Sequence, residues 1–275
     1  MTVIAMTREM GTLGKDVAHS IAVEFGLGLV HHELVRKEIA GKLDVEPSDV
    51  HRFLEGMPSL WDRWKIDERK LSRYTREEIL ELADRENVLI RGWGAPYLLR
   101  DVPHVVRIRV CAPMSFRIGE MKKRLNIEDD DVARREIERN DAGHTRAMRS
   151  FFDTDWEHPL NYHMVLNTGS MPVSACIDQI RLLIQNPVFE RTEASRQILR
   201  DKILETRITD ALDENVAQGF SGSSVDVRVS NGHVALTGTA YGRPDISSVE
   251  ELMRGIAGVE SVESNLVHVD PPYIG

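Results

Sequence analysis

Short runs of apolar, largely β-branched residues alternate along the chain with longer stretches whose apolar positions recur every three or four residues. The runs fall at residues 2–6, 28–30, 88–90, 105–110 and 162–166. Between the first two, Val17, Ala18, Ile21, Ala22 and Phe25 share one face of a helix that Gly26 stops. Ahead of the third, "TREEILELADRE" opens with Thr75 and Glu78 at capping-box spacing, which predicts a helix start there. Behind the fifth, "SACIDQIRLLI" sets Cys176, Ile177, Ile180, Leu183 and Ile184 on one stripe. Strand–helix alternation of this kind predicts an α/β domain, a parallel sheet with helices on both faces.

The pattern then changes. "QNPVFERTEAS" is polar, contains Pro187 and reads as a linker. A helix carrying Ile203, Ile208, Ala211 and Leu212 follows, leading into "SVDVRVSNGHVALTGTA". There Val225, Val227 and Val229 alternate with polar residues up to Asn231-Gly232, and Val234 and Leu236 resume the alternation, a hairpin signal. A helix near 247–255 and a last strand in "VESVESNLVHV" complete a small α+β unit of order αββαβ. The expected division is a first domain at 1–186, a linker at 187–199 and a second domain at 200–270.

Composition narrows the classes. With 41% hydrophobic and 29% charged residues the chain has enough apolar content for a core. A net charge of −9 argues against nucleic acid as a partner, because phosphate backbones are gripped by clustered Lys and Arg. Two cysteines, Cys111 and Cys176, sit in apolar contexts outside any metal-ligand spacing and read as reduced core thiols. No stretch reaches the ~20 apolar residues of a membrane span. "TVIAM" is too short for a signal peptide, so a cytoplasmic protein is expected.

Candidate chemistry begins at "MTREMGTLGKDVAHSIA". A phosphate loop points backbone N–H groups of a glycine-rich turn at an anion, at the head of a helix whose dipole has the matching sign. Against G-x-x-x-x-G-K-[ST], this chain keeps Gly14 and Lys15 but has Glu9 for the first glycine and Asp16 for the hydroxyl residue. Gly11, Thr12, Leu13, Gly14, Lys15 and Asp16 are therefore the candidate ATP phosphate-binding residues, with Thr12 or Asp16 able to serve Mg²⁺.

The same segment, with "NVLIRGWGAPYLLRDVPHVVRIRVCAP", "SFRI", "ERNDAGHTRAMRSFFDTDW" and "HPLNYHMVLNT", resembles the cytidylate kinase-like family of P-loop kinases in order and spacing. The resemblance implies a five-stranded parallel sheet and phosphoryl transfer from ATP to a nucleoside monophosphate with a CMP-like base. It also implies a lid between Arg117 and Arg149, in which Arg117, Arg146 and Arg149 stabilise the moving phosphoryl group beside Lys15. Arg134 and Arg135 read as solvated partners of nearby glutamates.

The chain departs from the family where an Arg between two glycines is Trp93, where an Asp after the second strand is His31, and where a lid Arg is His144. Arg91, two residues before Trp93, is the expected replacement at the acceptor, with His31 beside it. The cluster His31-His32-Glu33 reads as no metal site, since adjacent strand residues face opposite ways. The C-terminal unit resembles the BON domain through "ILETRITDAL", the Asn231-Gly232 turn and "IAGVESVESNLVHV". That resemblance implies a small-molecule, lipid or protein ligand. A non-catalytic, nucleotide-binding sensor is the alternative to a kinase.

Overall fold

The computed structural model of the chain describes residues 2–54, 68–92, 94–214, 224–241 and 246–269. It divides into two units, Met1–Thr192 and Glu193–Gly275.

In the first unit β1 (Val3–Arg8) runs into α1 (Gly14–Phe25), then β2 (Gly28–His31), α2 (His32–Leu43) and α3 (Pro47–Leu54). After α4 (Glu68–Asp84) come β3 (Val88–Arg91), the short α5 (Ala95–Leu98) and β4 (Val105–Cys111). Helices α6 (Met114–Leu125) and α7 (Asp130–Phe152) precede β5 (Met164–Asn167) and α8 (Val173–Ile184). The five strands are parallel in the order β2-β3-β1-β4-β5. On one face Ile4, Met6, Leu89 and Ile108 pack with Val17, Ile21, Cys176 and Ile180, so the two predicted helical stripes meet over one sheet. Alternation turns Val3, Ala5, Val88 and Ile90 to the other face, where they are buried too. Gly26 ends α1 with φ 62° and returns its N–H to Ala22 O, as a left-handed cap does.

The order of the strands matters for function. The chain leaves β1 toward β2 on one side, but leaves the neighbouring β3 toward β4 on the other. Loops that diverge from adjacent parallel strands open a crevice at the carboxyl ends, here between β1 and β3.

Two readings change. Thr75 lies inside α4 rather than at its head, and its hydroxyl donates to Leu71 O at 2.7 Å. Buried Leu71 keeps the preceding turn on the core, so the helix continues through the capping-box letters. The last strand of the sheet begins at Met164, because Tyr162 turns its hydroxyl back to Trp156 O.

In the second unit α9 (Glu193–Glu214), β6 (Ser224–Ser230), β7 (His233–Tyr241), α10 (Ile246–Arg254) and β8 (Ser261–Val269) form a three-stranded mixed sheet with two helices. Residues 187–199, read as linker, hold a 3-10 turn and the first residues of α9. Asn231 and Gly232 have φ 50° and 76°, the geometry of a type I′ hairpin. Asp201 of α9 accepts from both their N–H groups, at 2.8 and 3.2 Å, and so pins the turn to the helix. Val225, Val227, Leu236 and Val262 join Ile208 and Leu212 in the core of this unit. Among the described residues no helix is long and apolar enough to cross a membrane.

Candidate functional site

The segment between β1 and α1 is built around a carboxylate. Glu9 is 9% exposed, and its Oε1 accepts from Arg109 Nη2 at 2.5 Å. Its Oε2 accepts from the Ala112 N–H at 3.3 Å and faces Arg117 Nη1 at 3.4 Å. Arg117 in turn donates through Nε to Met10 O at 2.6 Å and through Nη2 to both carboxylate oxygens of Asp141, at 2.8 and 2.7 Å. The result is a chain of alternating charge, Asp141–Arg117–Glu9–Arg109. It joins α7, α6, the loop and β4. A buried carboxylate is tolerable only when matched this closely. Glu9, which reads in sequence as a lost glycine, is the residue that fastens the loop to the sheet.

Arg109 has further fixed partners. Its Nη1 donates to Trp156 O at 2.7 Å, and its guanidinium lies 4.3 Å from the centre of the Trp156 ring. Burial alone would lower its pKa, but the charge and hydrogen bond of Glu9 outweigh burial and raise it. Asp141 shows the opposite balance, with burial pushing its carboxyl up against the pull of Arg117.

Within the loop, Thr12 donates its hydroxyl to Glu9 O at 2.8 Å and its N–H to the same oxygen at 3.4 Å. The Gly14 N–H turns to Thr12 O at 2.5 Å. Gly11 has φ +80°, and a Cβ there would stand 2.7 Å from Arg117 O, so both backbone angle and crowding demand glycine. No side chain caps α1 at Leu13, and Lys15 and Asp16 are exposed in its first turn.

The acceptor candidates sit at the same end of the sheet. Met6, Arg91 and His31 share one register across β1, β3 and β2, which places Arg91 and His31 on the α1 face beyond the apolar core. Trp93 and the side chains of His32 and Glu33 lie outside the described residues. Arg146 and Arg149 are exposed on α7, as are Arg134 and Arg135.

Sequence reasoning passed over Arg8, Arg109 and Trp156. Arg8, the last residue of β1, is half-buried. Its guanidinium is lowered to about 10 by burial and then by the charges of Arg91, Arg124 and Arg117, with Asp16 opposing them. Alternation in β1 was the available signal, since Arg8 follows Ile4 and Met6 on one face. No local pattern announces Arg109 and Trp156.

His144 stacks edge-on against Trp156, with ring centroids 4.3 Å apart. Burial, then Arg109 and Arg8, lowers its pKa from 6.5 to about 4, so it is neutral at pH 7. A depressed folded-state pKa means that the unfolded chain takes up this proton first as pH falls. Stability is therefore lost between pH 6.5 and 4, by about 3 kcal/mol at most at 1.36 kcal/mol per pH unit. His144→Phe keeps a ring on Trp156 and removes the titration. Urea unfolding across that window is expected to depend less on pH in the variant. An equal slope in both proteins would contradict the assignment.

Residues 3–170 match the model of the cytidylate kinase-like family, more than half of the chain. The chain belongs to that family. Residues 200–271 match the BON domain. A cytidylate kinase of Methanocaldococcus jannaschii is 22% identical over 178 residues, covering 64% of this chain and 93% of that protein. Among solved structures, an uncharacterized protein from Eubacterium ventriosum aligns at 19% identity and TM-score 0.52, covering 66% of this chain and 97% of its own. A shikimate kinase from Bacteroides thetaiotaomicron aligns at 13% identity and TM-score 0.42, covering 67% and 99%. The first of these structures shares the α/β fold of the kinase-like unit. The Glu9 anchor thus belongs to a kinase-like domain and lies in the loop that follows the first strand of its sheet.

Proposed function

We propose that the N-terminal unit transfers a phosphoryl group from ATP to a nucleoside monophosphate with a CMP-like base, in the cytoplasm. The observation that carries this reading is the loop at 9–15. It opens at the crevice between β1 and β3, at the head of α1, with Gly11 in a conformation and a contact that exclude other residues. Phosphoryl transfer needs positioned cations more than covalent chemistry, and arginines are what this end of the sheet supplies.

In this reading Lys15 and the backbone of Gly11, Thr12, Leu13, Gly14 and Asp16 hold the ATP phosphates. The residues present suit Mg²⁺ as well: Thr12 uses its hydroxyl proton on Glu9 O, which leaves oxygen lone pairs for a cation, and Asp16 is exposed one turn on. Mg²⁺ would neutralise charge on the phosphates. Arg117 acts by holding Met10 and Glu9, hence the loop, in place. Arg146 and Arg149 reach the phosphates from α7. Arg91 and His31 meet the acceptor. The BON unit binds a small molecule, lipid or protein.

A second reading, nucleotide binding without turnover, is favoured by one feature. The Thr12 and Gly14 N–H groups point to the loop's own carbonyls, fewer outward donors than an open phosphate cradle offers. Purified protein with ATP, Mg²⁺ and each nucleoside monophosphate in turn separates the two. The kinase reading expects ADP that depends on the acceptor, greatest with CMP. Thermal stabilisation by ATP with no ADP from any acceptor would leave the sensor.

A further inference from the structure

We infer that β6, an edge strand of the second unit's sheet, pairs antiparallel with β6 of a second copy of this chain, about a two-fold axis at Val227. This contact is separate from phosphoryl transfer and involves the C-terminal unit alone.

The edge is open. The sheet order is β6-β7-β8, and among the described residues no strand pairs with the outer side of β6. Its register with β7 runs unbroken from Ser224↔Thr239 to Ser230↔His233, so no bulge bends it away. Its sequence, SVDVRVS, contains no Pro, Gly or Lys, so the common guards of an exposed edge are missing. Beside it lies a groove of about 470 Å³, walled by Ile198, Asp201, Lys202 and Glu205 of α9 and by residues 226–230.

The hairpin turn fixes which backbone groups face outward. A type I′ turn makes Ser230 and His233 a hydrogen-bonded pair, and such pairs alternate along an antiparallel ladder. Arg228 and Asp226 therefore bond to β7, while the N–H and C=O groups of Val225, Val227 and Val229 point away from it. A second β6 presents the same outward groups, so valine must meet valine across the new ladder.

Charge then selects the register. An axis at Asp226 sets that carboxylate against its own copy, and an axis at Arg228 does the same with the guanidinium. An axis at Val227 sets Asp226 against the partner's Arg228 twice, and Val225 against the partner's Val229 twice. The charged pairs fall at the non-hydrogen-bonded sites, where facing side chains stand closest. Both charges are available: Asp226 and Arg228 are exposed, and neither has an ion-pair partner among the described residues. The three valines pack on the core of the unit yet stay only half-buried, and the paired strand covers their open side. The other edge, β8, carries one carboxylate, Glu263, and neither Lys nor Arg to face it.

The test is sedimentation equilibrium of the full chain from about 1 to 200 μM, since one added strand pair is a small interface of micromolar strength. The parent is expected to approach twice its monomer mass over that range. Arg228→Asp sets carboxylate against carboxylate on both sides of the axis, and Asp226→Arg sets guanidinium against guanidinium. Each should weaken self-association at least about 10-fold, as two repulsive cross-strand pairs replace two attractive ones. Both side chains are exposed, so each variant is expected to melt as the parent does. Mixing the two variants one to one restores opposite charges across the axis and should return a dimer of parental affinity. The exchange of both residues in one chain, Asp226→Arg with Arg228→Asp, should do the same. A folding defect cannot produce that recovery. A parent that stays monomeric throughout overturns the pairing and leaves the groove to a strand of another protein. Equal self-association in parent and Arg228→Asp overturns it too, as does a mixture that fails to recover.

Discussion

Arg109→Met is expected to destabilise the N-terminal unit by about 3–5 kcal/mol, the cost of removing one partner of a buried ion pair. For a unit of this size that is a fall in unfolding temperature on the order of 10 °C. The loss has three parts. Glu9 keeps its burial but loses its shortest hydrogen bond. Trp156 O loses a donor, and the Trp156 ring loses the cation over it. Methionine replaces the stem of the arginine, so the effect reports the charged head rather than a void. Glu9→Gln in the same background should recover a large part of the loss, because the uncompensated charge is then gone. Differential scanning calorimetry of the parent, both single variants and the double variant gives the coupling directly. A drop below about 1 kcal/mol for Arg109→Met would mean that Glu9 is not anchored through the sheet.

Lys15→Ala should reduce acceptor-dependent ADP formation by about 10²–10³-fold in kcat/KM, or about 3–4 kcal/mol, the range for deleting one preorganised charge-stabilising group. Lys15 is exposed, so the same variant should keep the parent unfolding midpoint within about 1 kcal/mol. The contrast with Arg109→Met is diagnostic: one residue acts on the reaction and leaves the fold, the other acts on the fold that holds the loop. Steady-state kinetics with CMP and ATP, beside a melting curve, decide the matter. Turnover that survives the loss of Lys15 would take the loop out of the chemistry, and the kinase reading with it.

These two variants also bear on the departures from the family pattern. Glu9 stands where the phosphate-loop motif has glycine, and its side chain finds its partners in β4 and α6. His144 stands where the lid motif has arginine, and it is a neutral ring on Trp156. A cation there would face Arg109 and Arg8, the groups that already lower His144. Both substitutions therefore make local sense in the folded protein.

What the chain alone determined is whatever depends on near neighbours. The stripes Val17–Ile21 and Cys176–Ile180, the stop at Gly26, the hairpin at Asn231-Gly232 and the glycine-lysine turn all rest on spacings of a few residues, where sterics and periodicity act. The resemblance to a known family supplied the five-stranded parallel sheet, and the fold agrees with it; the order of the strands came from the structure. Thr75 was misread for the same reason the others were read well: a local capping pattern was outweighed by burial of Leu71 one turn earlier. Tertiary structure alone decided that Glu9 meets an arginine 100 positions away, and that Arg117 is occupied by Asp141 and Met10. It alone brought Arg8 beside Arg91 and against Gly14. Charge pairing across a sheet carries no period along the chain, because the partners are chosen by strand order and register, and these are settled only when the whole core packs.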